Sequence, residues 1–301
     1  MILISIGVTT FYLSYLVFPF LIYIIWQYQK LNKAVTAVLI LLCLALIYAR
    51  FIEPNIIKIR RHKIKLAKIG TTPFKIVVIS DFHIGLFTKS FFLKEVVKRI
   101  KKLKPDLVLI PGDFIWCLPK IKIRKKLAAL RELPAPTFAV LGNHDCGAKG
   151  EKDVSGELKK VLTNYGLKII DNKIEEIKIK GQGIKIIGLS DIETRHPDYN
   201  LIKNLSGANI NIILAHNPDT AYEFPSYDMD LVVCGHTHGG QVRIYPFYKY
   251  AYKYISQMKH DFDKGLKNFR GTKVFINTGV GLGGLPFRFL MPPVIDVLEI
   301  E

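Results

Sequence analysis

The stretch Phe74-Lys75-Ile76-Val77-Val78-Ile79-Ser80-Asp81-Phe82-His83 decides the fold. A short apolar run bounded by turn residues reads as a buried strand. This one ends in a carboxylate and an imidazole two positions apart. The same grammar recurs along the chain. Asp106-Leu-Val-Leu-Ile110 runs into Pro111-Gly-Asp113, and Thr137 to Leu141 runs into Gly142-Asn-His-Asp145. Ile184 to Leu189 meets Ser190-Asp191, and Asn211 to Leu214 meets Ala215-His216-Asn-Pro-Asp219. Leu231 to Cys234 meets Gly235-His-Thr-His238, and Lys273 to Ile276 meets Asn277-Thr-Gly279. Helix spacing lies between, in Phe92, Val96, Val97, Ile100 and Leu103, and again in Leu158, Val161, Leu162 and Tyr165, with Ser155 as the expected N-cap. Strands alternating with helices predict a layered α/β domain whose ligands gather beyond the carboxyl ends of the strands.

Five of the eight histidines fall inside these polar clusters. Asp-x-His or His-x-His at a strand end lets two side chains splay from one turn onto one metal ion. Oxygen and imidazole donors without thiolate suit Mn²⁺, Fe or Zn²⁺. The four cysteines form no CxxC pair, which argues against a structural zinc site or a disulfide framework.

The ordered set Asp81-x-His83, Gly112-Asp113, Gly142-Asn-His-Asp145, His216 and Gly235-His-Thr-His238 resembles the calcineurin-like metallophosphoesterases over about residues 72 to 300. The resemblance implies a four-layer α/β/β/α sandwich with two divalent metal ions, Mn²⁺ first. By position, Asp81, His83 and His238 would hold one ion and Asn143, His216 and His236 the other, with Asp113 bridging. His144 matches the family's proton donor, or transition-state stabiliser. Two such ions can clamp the attacking and leaving oxygens of an in-line displacement, and His144 can meet charge growing on the leaving oxygen. Phe114-Ile-Trp116 stands where protein phosphatases of the family carry a different sequence, so that activity is not expected. Gly235 to Gln241, Asn277 to Gly281 and Leu285-Pro-Phe-Arg288-Phe look like bacterial membrane-anchored members, similar to UDP-2,3-diacylglucosamine pyrophosphatases of lipid A synthesis.

Asp145 is expected to position rather than to ligate, and Asp191 to form a turn or cap. Arg288, between two phenylalanines in a glycine-rich stretch, is the candidate phosphate clamp. The segment Tyr245 to Tyr254 interleaves aromatics with lysines; it can stack bases, sit at a membrane interface or simply pack.

The chain is 50% apolar, enough for a sizeable core, but the apolar residues are unevenly spread. Met1 to Trp26 and Ala34 to Ala49 carry no charge, with only Gln27 to Lys33 between them. About 20 apolar residues span a bilayer, so residues 1–52 read as a transmembrane helical hairpin. A basic n-region and a small-residue cleavage site, the marks of a signal peptide, are missing. Residues 53–71 read as a basic connecting segment, and 72–301 as the catalytic domain. The formal charge is +18, and Lys58, Arg60, Arg61, Lys63, Lys65 and Lys68 follow the hairpin directly. That bias puts the catalytic domain on the cytoplasmic face of the inner membrane and draws it to anionic lipid. The cluster alternates with Ile57, Ile59 and Ile64, so an exposed strand face is the plainer reading. The expected function is hydrolysis of a phosphodiester or pyrophosphate on a membrane lipid. A nucleotide phosphodiesterase or nuclease is the enzymatic alternative, although a bilayer anchor speaks against nucleic acid as partner. A membrane scaffold with a vestigial site is the non-enzymatic one.

Overall fold

Alternate residues of the opening strand face different cores. In the computed structural model Ile76 and Val78 point between two sheets, while Val77 and Ile79 point toward helices. This is why the run shows no polar alternation: both faces are covered. The structure describes residues 2–301 except 29, 31, 69–71, 204, 206, 208, 224–228, 247, 250, 251 and 253–259.

The first six-stranded sheet runs in the order Lys58–Ile64, Val294–Ile300, Phe74–Val78, Leu107–Pro111, Thr137–Val140, Lys168–Ile169. The second runs Gly265–Phe269, Thr272–Ile276, Leu231–Cys234, Ile210–Leu214, Gln182–Gly188, Lys173–Ile179. Parallel neighbours dominate the centre of each sheet, so the polar strand ends gather on one side. Phe74, Leu109 and Phe138 meet Ile186, Ile212 and Phe275 in the apolar layer between the sheets. Helices Ser90–Leu103 and Ser155–Asn164 cover the outer face of the first sheet through Leu93, Val97, Leu158 and Leu162. The outer face of the second is covered, among the described residues, by 3₁₀ turns Tyr199–Ile202 and Pro218–Tyr222 and the loop side chains Tyr252 and Phe262. The architecture is therefore the expected layered sandwich. Of the aromatic–lysine segment, Phe247, Tyr250, Ala251, Lys253 and Tyr254 lie outside the described residues. Tyr252 is buried and its hydroxyl donates to the Phe262 carbonyl, a packing role.

Ahead of the sandwich stand two apolar helical spans, Ile6–Trp26 and Lys33–Asn55, long enough to cross a membrane. Only 11% and 22% of their most apolar windows are buried, which a core helix of a soluble protein would not allow. The Asn32 side chain caps the second by accepting from the Ala34 and Val35 amides. Together they form the expected hairpin.

The hairpin is fastened to the sandwich. The Arg288 amide donates to the Ala49 carbonyl at 3.0 Å. Glu53 is 1% exposed, and its carboxylate accepts from the amides of Leu290 at 2.9 Å and Met291 at 2.6 Å. A Cβ on Gly7 would stand 2.3 Å from the Gly284 carbonyl oxygen, so only glycine lets helix and loop approach this closely.

Residues 53–71 are not merely a connector. Lys58–Ile64 is an edge strand, parallel to Val294–Ile300. Its two faces bind different acids: Arg60 and His62 reach the buried Asp296, while Arg61 pairs with Glu299 and Lys63 with Glu301. Lys68 pairs with Asp230. Four of the six cations expected to face lipid are thus pair-bonded within the fold, which leaves Lys58 and Lys65 with no carboxylate partner among the described residues.

Glu53→Ala leaves the buried Met291 amide and the part-buried Leu290 amide without their acceptor and should destabilise the chain by about 2 kcal/mol. Thermal unfolding of the detergent-solubilised full chain measures it. A melting temperature equal to the parent's would show that water replaces the carboxylate.

Candidate metal centre

Each of the seven expected ligands sits just past a strand, and all seven converge where the two sheets present their carboxyl ends. Asp81 and His83 follow Phe74–Val78, Asp113 follows Leu107–Pro111, and Asn143 follows Thr137–Val140. From the second sheet, His216 follows Ile210–Leu214, and His236 and His238 follow Leu231–Cys234. None is more than 8% exposed. Five adopt positive φ: Asp81 (52°), His83 (44°), Asp113 (57°), His236 (69°) and His238 (49°). Left-handed backbone at such residues costs about 1–3 kcal/mol each and persists only where the surroundings over-determine it.

The geometry defines two adjoining cradles. In the first, Asp81, His83 and His238 offer ligand atoms within 4.8 Å of one another. The Nε2 atoms of His83 and His238 approach to 2.9 Å, and His238 Nε2 lies 3.6 Å from Asp81 Oδ1. In the second, His216 Nε2 lies 3.2 Å from Asn143 Oδ1 and 3.1 Å from His236 Nδ1. One atom joins them: Asp113 Oδ2 stands 3.3 Å from His83 Nε2 and 3.3 Å from His216 Nε2.

The tautomers follow from the outer partners. His216 Nδ1 meets the Pro111 carbonyl at 2.7 Å, so it carries the proton and turns the Nε2 lone pair inward. His236 Nε2 faces the Glu193 carboxylate at 3.2 Å, which turns Nδ1 inward. Burial disfavours charge on His238, and His83 and Arg288 beside it add to that, holding its pKa well below the ordinary value. Burial also works against the Asp113 carboxylate, but His216, His144 and His83 hold it well below the usual range. Lone pairs of two facing imidazoles and a shared ionised carboxylate aim at common points, and the donors are N and O only. This set fits two divalent cations of the Mn²⁺, Fe or Zn²⁺ kind. A Cβ on Gly283 would come within 2.7 Å of His238 Nε2, so the loop over the first cradle also needs glycine.

Around the cradles the remaining expected residues separate by role. His144 lies at the rim. One of its ligand atoms is within 4.8 Å of those of Asp113 and His83, and its amide donates to Asp113 Oδ1 at 3.1 Å. Asp145 is buried and accepts from the amides of Gly142, Phe114 and Ile115, tying two site loops together. Burial, with Asp113 next, pushes its carboxyl up to about 7. Asp191 closes a turn, its Oδ2 accepting from the Glu193 and Thr194 amides.

Arg288 does not stand where a phosphate clamp would. It is fully buried, and its guanidinium donates to the carbonyls of Gly281, Met291, Thr278 and Gly279. Nη2 also lies 3.3 Å from His238 Nδ1. It braces the 278–291 loop behind the first cradle.

Two carboxylates escaped the sequence reading. Glu151 takes both the Nδ1 of His144, at 2.9 Å, and the Nε1–H of Trp116, at 2.8 Å. Glu193 accepts from the Asn143 amide nitrogen at 2.8 Å and the Asn217 amide nitrogen at 3.1 Å while facing His236. It thereby turns Asn143 Oδ1 inward. Its sequence signal was a second acid two residues beyond a strand-end aspartate; Glu151 sits in a loop with no such mark.

The family profile of the calcineurin-like phosphoesterases matches residues 74–240, and the chain belongs to that family. It is a phosphoester hydrolase of a class that works with divalent metal ions. The chain is 33% identical to the metallophosphoesterase YkuE of Bacillus subtilis, over 84% of this chain and 89% of that one. It is 30% identical to the phosphodiesterase YaeI of Escherichia coli, over 84% and 92%. It is 28% identical to the UDP-2,3-diacylglucosamine pyrophosphatase LpxG of Chlamydia muridarum, over 88% and 96%.

Loss of a carboxylate that orients ligands costs about 10–100-fold in metal affinity. Glu193→Ala should weaken Mn²⁺ binding by that factor in calorimetric titration, with Glu193→Gln intermediate. Unchanged affinity in both would show that Asn143 and His236 are oriented without it.

Proposed function

We propose that this protein is a dinuclear phosphodiester or pyrophosphate hydrolase acting on a membrane lipid from the cytoplasmic face of the membrane, with a UDP-2,3-diacylglucosamine-type nucleotide lipid as the first substrate to test. The observation that carries the hydrolase is the single Asp113 oxygen set between the two cradles. Asp81, His83, His238 and Asp113 would hold one cation, and Asn143, His216, His236 and Asp113 the other. Bound there, two divalent cations supply Lewis-acid charge on phosphorus oxygens and lower the pKa of water.

The chain's own residues do the rest. The five positive-φ ligands hold their atoms at fixed strand ends, so little reorganisation is needed as charge develops. His144, its Nδ1 held by Glu151 at 2.9 Å, would protonate the leaving oxygen from Nε2, and the carboxylate stabilises the imidazolium that does so. Phe82 and Phe114, stacked at 5.7 Å, keep water from behind the Asp81 and Asp113 turns.

The hairpin and the similarity to LpxG support the lipid substrate. The basic bias after the second span supports a cytoplasmic catalytic domain, with both termini inside.

The enzymatic test is a phosphoester panel on the purified full chain with and without Mn²⁺, including the nucleotide lipid and its deacylated analogue. Asp113→Ala should abolish metal-dependent turnover. His144→Ala should lower kcat about 10²–10⁴-fold, and the loss should shrink for a nitrophenolate leaving group, which needs little protonation. An equal loss across leaving groups would remove His144 from proton transfer.

Orientation is tested by a reporter fused after Glu301, expected to be active only in its cytoplasmic form. An extracytoplasmic signal would overturn the assignment of face.

A further inference from the structure

The hairpin helices do not close against each other along their whole length. Between them lies a cleft of about 570 Å³, within the range of ligand pockets. Leu13, Val17 and Phe20 form one wall and Leu39 and Cys43 the other, and Phe287 of the catalytic loop reaches in from the sandwich. Phe287 immediately precedes Arg288, whose Nη2 lies 3.3 Å from His238 of the first cradle. Ser14 stands on the cleft lining and accepts from Arg50 Nε at 3.0 Å. The Arg50 guanidinium lies over the rings of Phe11 (4.5 Å), Phe51 (4.8 Å) and Tyr15 (5.5 Å). No carboxylate pairs with it among the described residues. Phe11 in turn stacks on Phe87 at 5.3 Å, Phe87 packs on Trp116 at 4.7 Å, and Trp116 shares Glu151 with His144. The cleft is thus apolar inside, cationic at its rim, and joined by contiguous packing to both the first cradle and the proton donor.

We infer that this cleft is the acyl-chain seat of the substrate: one hydrocarbon chain lies between the hairpin helices against Phe287, and Arg50 draws the anionic end of the lipid to the rim. The inference rests on the lipid reading above and specifies where that lipid is held. A cleft lined almost wholly by apolar side chains suits an acyl chain and disfavours nucleotide or sugar. The uncompensated cation at its rim selects a chain that carries phosphate. A chain that leaves lipid for the cleft gains from packing against its walls rather than from leaving water, so filling the cleft with a side chain removes the gain.

The test uses the full chain in phosphatidylcholine nanodiscs with Mn²⁺ and two chromogenic diesters, methyl and dodecyl p-nitrophenyl phosphate. The quantity read is the ratio of their KM values, which cancels general damage to the site. The wild type should favour the dodecyl ester. Cys43→Phe, which fills the cleft, should reduce that advantage about tenfold, and Val17→Phe from the opposite wall serves if the first variant does not fold. Leu41→Phe, an equal-sized change at a 65% exposed position on the same helix, should keep it. Arg50→Gln should raise KM for the dodecyl ester. If the wild type gains nothing from the dodecyl chain, the lipid substrate itself is wrong. If it gains but the filled cleft gains as much, or Leu41→Phe loses as much, the lipid reading stands and the cleft is not the seat.

Discussion

A carboxylate 1% exposed between imidazoles governs this molecule. An ionised Asp113 taken out of water requires compensating positive charge, and the strand ends that carry His83, His144 and His216 converge on it to hold cations there. To bring those groups to one point, two sheets must present their carboxyl ends together, and the chain must turn within a few residues of each strand. The left-handed backbone at Asp81, His83, Asp113, His236 and His238 is the local result. Gly142 completes it: a Cβ there would stand 2.1 Å from Asp113 Oδ1. The Pro111 carbonyl and the Glu193 carboxylate then set which nitrogen of His216 and of His236 turns inward.

A second buried network ties this centre to the edge of the fold. Asn277 accepts from the Ser80 and Gly279 amides and donates to Asp296. Ser80 donates to Asp81. Asp296 is the acid that Arg60 and His62 bind from the edge strand. A continuous hydrogen-bonded line therefore runs from the strand after the hairpin to the first cradle, through residues with no chemistry of their own.

The fold and the ligand set were legible because both depend on local pattern. A doubly covered strand must be apolar throughout, so the point where polarity returns marks its end, and here the functional side chains stand at those ends. What was not legible depends on distance across the fold. Lys58 to Ile64 reads as a strand with a free basic face because its acids, Asp296, Glu299 and Glu301, lie at the other end of the chain. Arg288 reads as a clamp because its burial among carbonyls from its own loop leaves no trace in its neighbours' identities. Glu151 and Glu193 gain meaning only beside His144, Asn143 and His236. The ion pairs along the edge strand also lessen the positive charge available to lipid headgroups, which a count of lysines and arginines cannot register.

Only Ile56 and Ile57 separate the last helical turn, Glu53–Asn55, from the edge strand Lys58–Ile64. The strand is locked in register against Val294–Ile300, and the turn is gripped through Glu53. The catalytic body is consequently a stiff mount rather than a tethered ball. Its cradles keep one tilt and one height relative to the helices, so the proposed lipid phosphate, at a given depth in a leaflet, would always meet the same face of the centre. For the lipid substrate proposed above, depth in the lipid layer would then act as a selectivity filter before any side chain touches it.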